Sequence, residues 1–282
     1  MSTDSNSLDN AVRRDVAAAL AEDIGPGDLT AKLIPAGKQA RAMVRSREAA
    51  VLCGAPWFTE VFRRLDPQVL IEWQVAEGDA LQPDREFVQL SGNAAALLSG
   101  ERSGLNFLQA LSATATRTRE YVRAVGGTRA KILDTRKTLP GLRFAQKYAV
   151  RIGGGHNHRF GLFDGALIKE NHIMAAGGIG AALAAAQREI PPDAMLEIEV
   201  ESIAGLIEAL DSGAKMVLLD NFSVDQLREA VRVNAGRAEL EASGGVDLNS
   251  VRAIAETGVD RISIGSLTKD VKAIDLSMRF RI

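Results

Sequence analysis

The sequence predicts an α/β fold whose larger part is a closed or nearly closed barrel with fewer strands than the standard eight. Three observations predict it. After Gly126-Gly127 the chain becomes a series of short apolar runs, each followed by a helical segment. Repeated strand-then-helix units imply a parallel sheet with right-handed crossovers. Polar residues that carry chemistry recur where the runs end, which is the face on which barrels place their sites.

In chain order, residues 1–10 are polar, and Ala11–Leu20 reads as an amphipathic helix. The start has no apolar signal core and nowhere do eighteen apolar residues run together, so the expected location is cytoplasmic, with no membrane partner. Val69, Ile71, Trp73 and Val75 alternate with Leu70, Glu72 and Gln74, a half-buried strand that ends at Glu77-Gly78-Asp79. The first hundred residues therefore read as short antiparallel strands with flanking helices. From Asn93 to Arg123 an alanine- and leucine-rich helical stretch carries Arg102, with a break expected near Ser112. The apolar runs that follow are Lys131–Leu133, Ala166–Ile168, Leu196–Val200, Met216–Leu219, Leu240–Ala242 and Ile262–Ile264. Helices are expected over Ile179–Glu189, Ile203–Ser212, Val224–Asn234 and Asn249–Thr257.

The net charge of −2 excludes a bulk electrostatic attraction to nucleic acid, so any cationic site must be local. Cys53 is the one cysteine, which excludes an internal disulfide and fits a reducing compartment. Within Val51-Leu-Cys-Gly54 it reads as a small buried residue rather than a nucleophile. Dinucleotide- and ATP-binding glycine motifs and the Gly-x-Ser-x-Gly elbow are missing from the sequence.

The most informative stretch is Asp134-Thr-Arg-Lys-Thr-Leu-Pro-Gly141, behind the apolar pair Ile132-Leu133. It projects Arg136 and Lys137 from a strand end, a guanidinium fork beside a mobile ammonium, as an anion site requires. His158-Arg159 and Lys169 follow beside glycine-rich or apolar elements, so the ligand carries more than one acid group. Asp134, Lys169, Asp220, Ser243 and Gly265 all fall at the ends of runs. Ser243-Gly244-Gly245 and Ile264-Gly265-Ser266 resemble phosphate loops, where glycine lets main-chain N–H groups approach an anion. Alternation in Leu196–Val200 sends Glu197 and Glu199 to one face, where buried carboxylates need a cation or a metal. His156, His158 and His172 raise a zinc reading, but no cysteine joins them, and His158 is better explained as an orienting group beside Arg159.

The ordered set Glu101–Gln109, Asp134–Gly141, Gly153–Arg159, Leu167–His172, Glu197–Glu201, Leu218–Phe222, Glu241–Gly245, Ser263–Thr268 and Asp275–Phe280 resembles quinolinate phosphoribosyltransferase, the carboxylating nicotinate-nucleotide pyrophosphorylase family. Ala113 and His156 depart from the small residues expected there, at positions given no chemistry. The resemblance implies an N-terminal α/β sandwich, residues 1–115, to which a tail at 271–282 returns. It implies an incomplete, about seven-stranded α/β barrel over residues 116–270. The implied reaction joins quinolinate to phosphoribosyl pyrophosphate, releasing pyrophosphate and carbon dioxide and giving nicotinate mononucleotide in de novo NAD synthesis. Lys137, Lys169, Glu199 and Asp220 would be catalytic. Arg102, Thr135, Arg136, Lys137, His158, Arg159 and Lys169 would bind substrate, together with Ser243, Gly244, Gly245, Ile264, Gly265 and Ser266. Mg²⁺ would meet Glu199 and Asp220 directly or through water. Arg102 would enter the partner's site in a homodimer.

The rivals are a related phosphoribosyltransferase acting on another pyridine acid and a barrel aldolase forming a Schiff base at Lys169. The aldolase leaves the arginines unexplained. A phosphate sensor without turnover would show a disrupted acid or cation set, and here the set is complete.

Overall fold

The computed structural model describes residues 5–281. Two compact units divide the chain: one comprises residues up to 119 with 138–154 and 268 onward, the other residues 120–137 and 155–267.

The first half runs α1 (Ser5–Asp23), β1 (Gln39–Ser46), β2 (Ala50–Val51), α2 (Ala55–Leu65), β3 (Leu70–Trp73), β4 (Ala80–Leu81), β5 (Glu86–Asn93) and α3 (Ala94–Ala124). Then come β6 (Lys131–Leu133), α4 (Arg143–Ile152), β7 (Gly165–Ile168), α5 (Glu170–Ala176), α6 (Ile179–Glu189), β8 (Met195–Val200), α7 (Ile203–Asp211) and β9 (Met216–Asp220). The chain ends with α8 (Val224–Asn234), β10 (Glu239–Ser243), α9 (Val251–Ala255), β11 (Arg261–Ser263), α10 (Ser266–Lys269) and β12 (Leu276–Arg281).

In the first unit, β12, β1, β5 and β3 form an antiparallel sheet in that order. Ala40, Ala42, Val44 and Ser46 of β1 are buried while Gln39, Arg41 and Met43 between them are more open, the period-two pattern of a sheet with one covered face. Trp57, Phe58, Val61 and Phe62 of α2 are buried on one helical face. Glycine at positions 100 and 104 of α3 lets that helix approach, since a Cβ there would lie 2.7 Å from Phe62 and 3.1 Å from Phe58.

The expected break near Ser112 does not occur: α3 runs unbroken for 31 residues. Ser112 is instead a partner for main chain, accepting from Cys53 N at 3.0 Å and donating to Cys53 O at 3.1 Å. Cys53 is buried, as expected. Residues 138–154 group with this sheet because Ala145 and Ala149 of α4 enter its core.

The second unit is the parallel sheet β6-β11-β10-β9-β8-β7. Its register sets Leu133 beside Ser263, Ile262 beside Ala242, Ser243 beside Asp220, Leu219 beside Val200 and Ile198 beside Ile168, so the strand ends align. A seventh position is reduced to one residue, His156, which pairs in parallel with Leu133. His156 N donates to Ile132 O at 2.8 Å and Asp134 N to His156 O at 3.1 Å. The barrel is thus incomplete. Ser202 caps α7 by accepting from Gly205 N, and Ser223 with Gln226 forms a capping box on α8.

Candidate functional site

The aligned strand ends of the barrel unit enclose a cavity of about 340 Å³. Thr135, Arg136, Lys137, His158, Arg159, Lys169, Glu199, Asp220 and Ser243 line it, as do Leu167, Leu218, Glu241 and Ser263. The first nine are residues that the sequence singled out. Gly244, Gly245, Ile264, Gly265 and Ser266 do not line it. Gly265 nevertheless touches its edge, because a Cβ there would lie 3.0 Å from Cδ of Lys137. Arg102 belongs to the other unit, where it is exposed and lines a separate hollow with Asp23, Asp28, Thr30 and Ser99.

Asp134 at the end of β6 is fully buried. Its carboxylate accepts from His158 N at 2.9 Å and from Asn157 Nδ2 at 2.5 Å, fixing the segment that carries Arg159. Arg159 N donates to Nδ1 of His158 at 2.7 Å, and its guanidinium donates to Gly165 O at 3.0 Å. Burial, followed by the nearby Arg136, pushes the Arg159 guanidinium below its ordinary range, while Glu197 and Asp164 oppose the shift. Both guanidiniums line the same cavity, the arrangement that an anion site requires.

Lys169 forms an ion pair with Glu199. An ammonium engaged in that ion pair is poorly placed to act as a Schiff-base nucleophile, which counts against the aldolase reading. Burial and then the Glu199 charge push the Asp220 carboxyl upward, with Lys169 and Lys137 opposing. Asp220 accepts from Asn221 Nδ2 at 2.8 Å, and Asn221 N donates to Ser243 O at 2.9 Å. This ties the end of β9 to the loop after β10.

Sequence reasoning gave no role to Glu241 and placed Glu197 only as a candidate for burial. Both side chains are 1% exposed, and with His158 they form a cluster in the barrel unit. Their ligand atoms lie within 4.8 Å of one another. The signal for Glu241 was present in the alternation Glu239-Leu240-Glu241-Ala242, which repeats that of Glu197 and Glu199. Among the described residues no other group of three potential ligands gathers so closely, and His156 and His172 are exposed, so the three imidazoles do not form a site.

Known proteins resemble this chain in sequence and in fold. The N-terminal domain of quinolinate phosphoribosyl transferase matches residues 28–112 and its C-terminal domain residues 114–279. A probable nicotinate-nucleotide pyrophosphorylase [carboxylating] of Bacillus subtilis is 44% identical over 91% of this chain and 89% of its own length. A mitochondrial quinolinate phosphoribosyltransferase [decarboxylating] of Nicotiana tabacum is 40% identical over 93% of this chain and 80% of its own. The solved nicotinate-nucleotide pyrophosphorylase of Francisella tularensis superposes with a TM-score of 0.93 at 45% identity, over 97% of both chains. With both domains matched in order and the strand-end cations gathered in one cavity, the chain belongs to the quinolinate phosphoribosyltransferase family.

Proposed function

We infer that this protein transfers the phosphoribosyl group of phosphoribosyl pyrophosphate to quinolinate and decarboxylates the product to nicotinate mononucleotide, a step of NAD biosynthesis. The observation that carries the reading is one cavity in which Arg136, Lys137, Arg159 and Lys169 face Glu199 and Asp220. A pyridine with two adjacent carboxylates needs fixed cations on one side. A ribose that develops positive charge needs carboxylates on the other.

In this reading Arg136, Arg159 and Lys169 hold the two carboxylates of quinolinate. The bond from C1′ to pyrophosphate breaks with its electron pair leaving on oxygen, and Glu199 and Asp220 stabilise the positive charge left at C1′. The pyridine nitrogen donates its lone pair to C1′. The neighbouring carboxylate then leaves as carbon dioxide, its bonding pair staying on the ring carbon beside the cationic nitrogen until that carbon takes up a proton. Lys137 adds a mobile cation next to the loops Ser243–Gly245 and Ile264–Ser266, which we assign to the phosphates.

Glu199 and Asp220 also fit Mg²⁺: they are hard oxygen donors, and the Glu199 charge, which after burial raises the Asp220 carboxyl, is a repulsion that a divalent cation would relieve. When bound there, Mg²⁺ would neutralise charge on the pyrophosphate. A cytoplasmic location belongs to the same proposal; among the described residues no helix is long and apolar enough to cross a membrane.

The assembly in this reading is a homodimer whose partner supplies Arg102. Supporting it, each unit exposes large apolar side chains, Leu29 and Leu33 in one and Leu162, Phe163 and Met174 in the other.

The reaction is tested by incubating the protein with quinolinate, phosphoribosyl pyrophosphate and Mg²⁺. Nicotinate mononucleotide and carbon dioxide are expected in equal amounts. Turnover of nicotinate in preference to quinolinate would overturn the substrate assignment.

A further inference from the structure

His158 has two ring nitrogens, and the protein uses both. Arg159 N donates to Nδ1 at 2.7 Å, so Nδ1 presents a lone pair and the ring hydrogen sits on Nε2. Nε2 then donates to Oε2 of Glu197 at 3.0 Å, with Oε1 of Glu241 at 3.7 Å. A hydrogen at Nε2 leaves no lone pair there, which excludes the metal centre that one histidine and two glutamates would otherwise offer. An imidazolium is excluded on the same ground, because a second hydrogen on Nδ1 would point at the Arg159 N–H. Two ionised carboxylates around one neutral ring, each side chain 1% exposed, would repel each other in a medium that screens poorly.

We propose that Glu197 is a positioning residue for Arg159, acting through His158, which it holds as the neutral imidazole with its hydrogen on Nε2, while Glu241 completes the trio as a neutral carboxylic acid. The connection is a relay of two hydrogen bonds through one ring, from the Glu197 carboxylate to the main chain of Arg159. Asp134 anchors the same segment from β6 by accepting from His158 N. Glu197 on β8 and Glu241 on β10 face the ring at Nε2, the Arg159 N–H meets Nδ1, and Asp134 after β6 holds the main chain beside it. Burial and then the Glu197 charge push the Glu241 carboxyl up to about 7, so the neutral acid is the form present below that pH; the opposing effect of His158 requires a charged ring and falls away with a neutral one.

The trio adds one negative charge beneath a cationic mouth instead of two. It also gives Arg159 a main-chain anchor in addition to the hydrogen bond from its guanidinium to Gly165 O. His158 therefore makes no ionic contact with substrate; its role is to fix the arginine beside it.

The chain contains three histidines, so their ring nitrogens are resolved by nitrogen-15 NMR of the full protein, with assignment by His156→Gln and His172→Gln. The expected result is one ring locked in the Nε2–H tautomer without titrating between roughly pH 5.5 and 8.5, a window in which a free imidazole changes charge. Glu241→Gln, with the shape of the neutral acid, keeps that tautomer. Glu197→Ala releases it, and the KM for quinolinate rises about tenfold with kcat and the KM for phosphoribosyl pyrophosphate little changed, the signature of lost ground-state binding.

The proposal rests on Arg159 as a partner of a quinolinate carboxylate. Arg159→Lys separates the two, since it leaves the trio in place. An unchanged KM for quinolinate in Arg159→Lys overturns that reading and with it the purpose assigned to the trio. A His158 ring that titrates in the unmodified protein overturns the trio itself, as does a stoichiometric divalent ion that is lost in Glu197→Ala. Equal rises in both KM values in Glu197→Ala would indicate a merely structural role and overturn the positioning.

Discussion

At Gly244 the lack of a side chain decides whether the loop after β10 can form. The residue sits at φ 100°, and a Cβ would lie 2.1 Å from Oδ1 of Asn221. Asn221 in turn holds the Asp220 carboxylate, so the strain of Gly244→Ala, about 1–3 kcal/mol, falls on the carboxylate assigned to the ribose. The expected outcome is a lower Tm together with a raised KM for phosphoribosyl pyrophosphate, and a normal KM would remove this loop from the phosphate site. Glu241 offers a second residue-scale prediction. Its folded value of about 7 stands above the ordinary 4.5, so the folded state binds the extra proton between those values. The stability tied to that proton is fully present below about pH 4.5 and is lost as pH rises through 7. At about 1.4 kcal/mol per pKa unit the loss is on the order of 3 kcal/mol. Denaturant titrations at pH 5.5 and 8.5 should show a larger fall for the wild type than for Glu241→Gln; parallel falls would mean that the acid is already ionised at the lower pH. The cationic half of the cavity was legible because Arg136, Lys137 and Lys169 follow apolar runs and Arg159 closes the glycine-rich stretch that begins at Gly153. Glu241 was not, because its role depends on a neighbour two strands away, and the partnership of β8 with β10 through His158 is written in no local pattern.

Among the elements, the strands were legible and some of the helices were not. All six runs became strands of the parallel sheet, since continuous apolar stretches bounded by turns have few other uses in a chain of this rhythm. α4 escaped notice because its buried face includes Gln146 and Lys147, which break the apolar stripe. Gln146 is buried for its hydrogen bonds: it accepts from Leu139 N at 2.8 Å and donates to Thr268 O at 2.7 Å. The break expected in α3 shows the same principle from the other side. A serine inside a helix can compete with the backbone, but Ser112 spends its hydroxyl on the main chain of Cys53 and leaves the helix intact. Ser112→Ala strands the buried Cys53 N–H, and a loss of about 1–3 kcal/mol in unfolding free energy is expected by denaturant titration. A change within error would mean that water or a backbone shift satisfies that group.

For the whole molecule, the incomplete barrel was readable because six runs fall short of eight strands, and the structure adds why the count stays low. The seventh position is a single residue, His156, held by two main-chain bonds shortly before His158 and Arg159. Arg102 lines its own hollow in the sandwich unit, and every residue of the barrel cavity belongs to the other unit. If Arg102 acts in a partner's barrel, two inactive proteins can repair each other. In a dimer of one Arg102→Ala chain and one Lys169→Ala chain, one barrel keeps Lys169 and receives a native Arg102, while the other barrel loses both. Random pairing makes half of the dimers mixed, each with one working site of two, so coexpression should restore about a quarter of wild-type activity. Purification through two different tags isolates the mixed dimer, which should show about half. Activity no higher than that of either parent would place Arg102 within its own chain's site or outside the reaction.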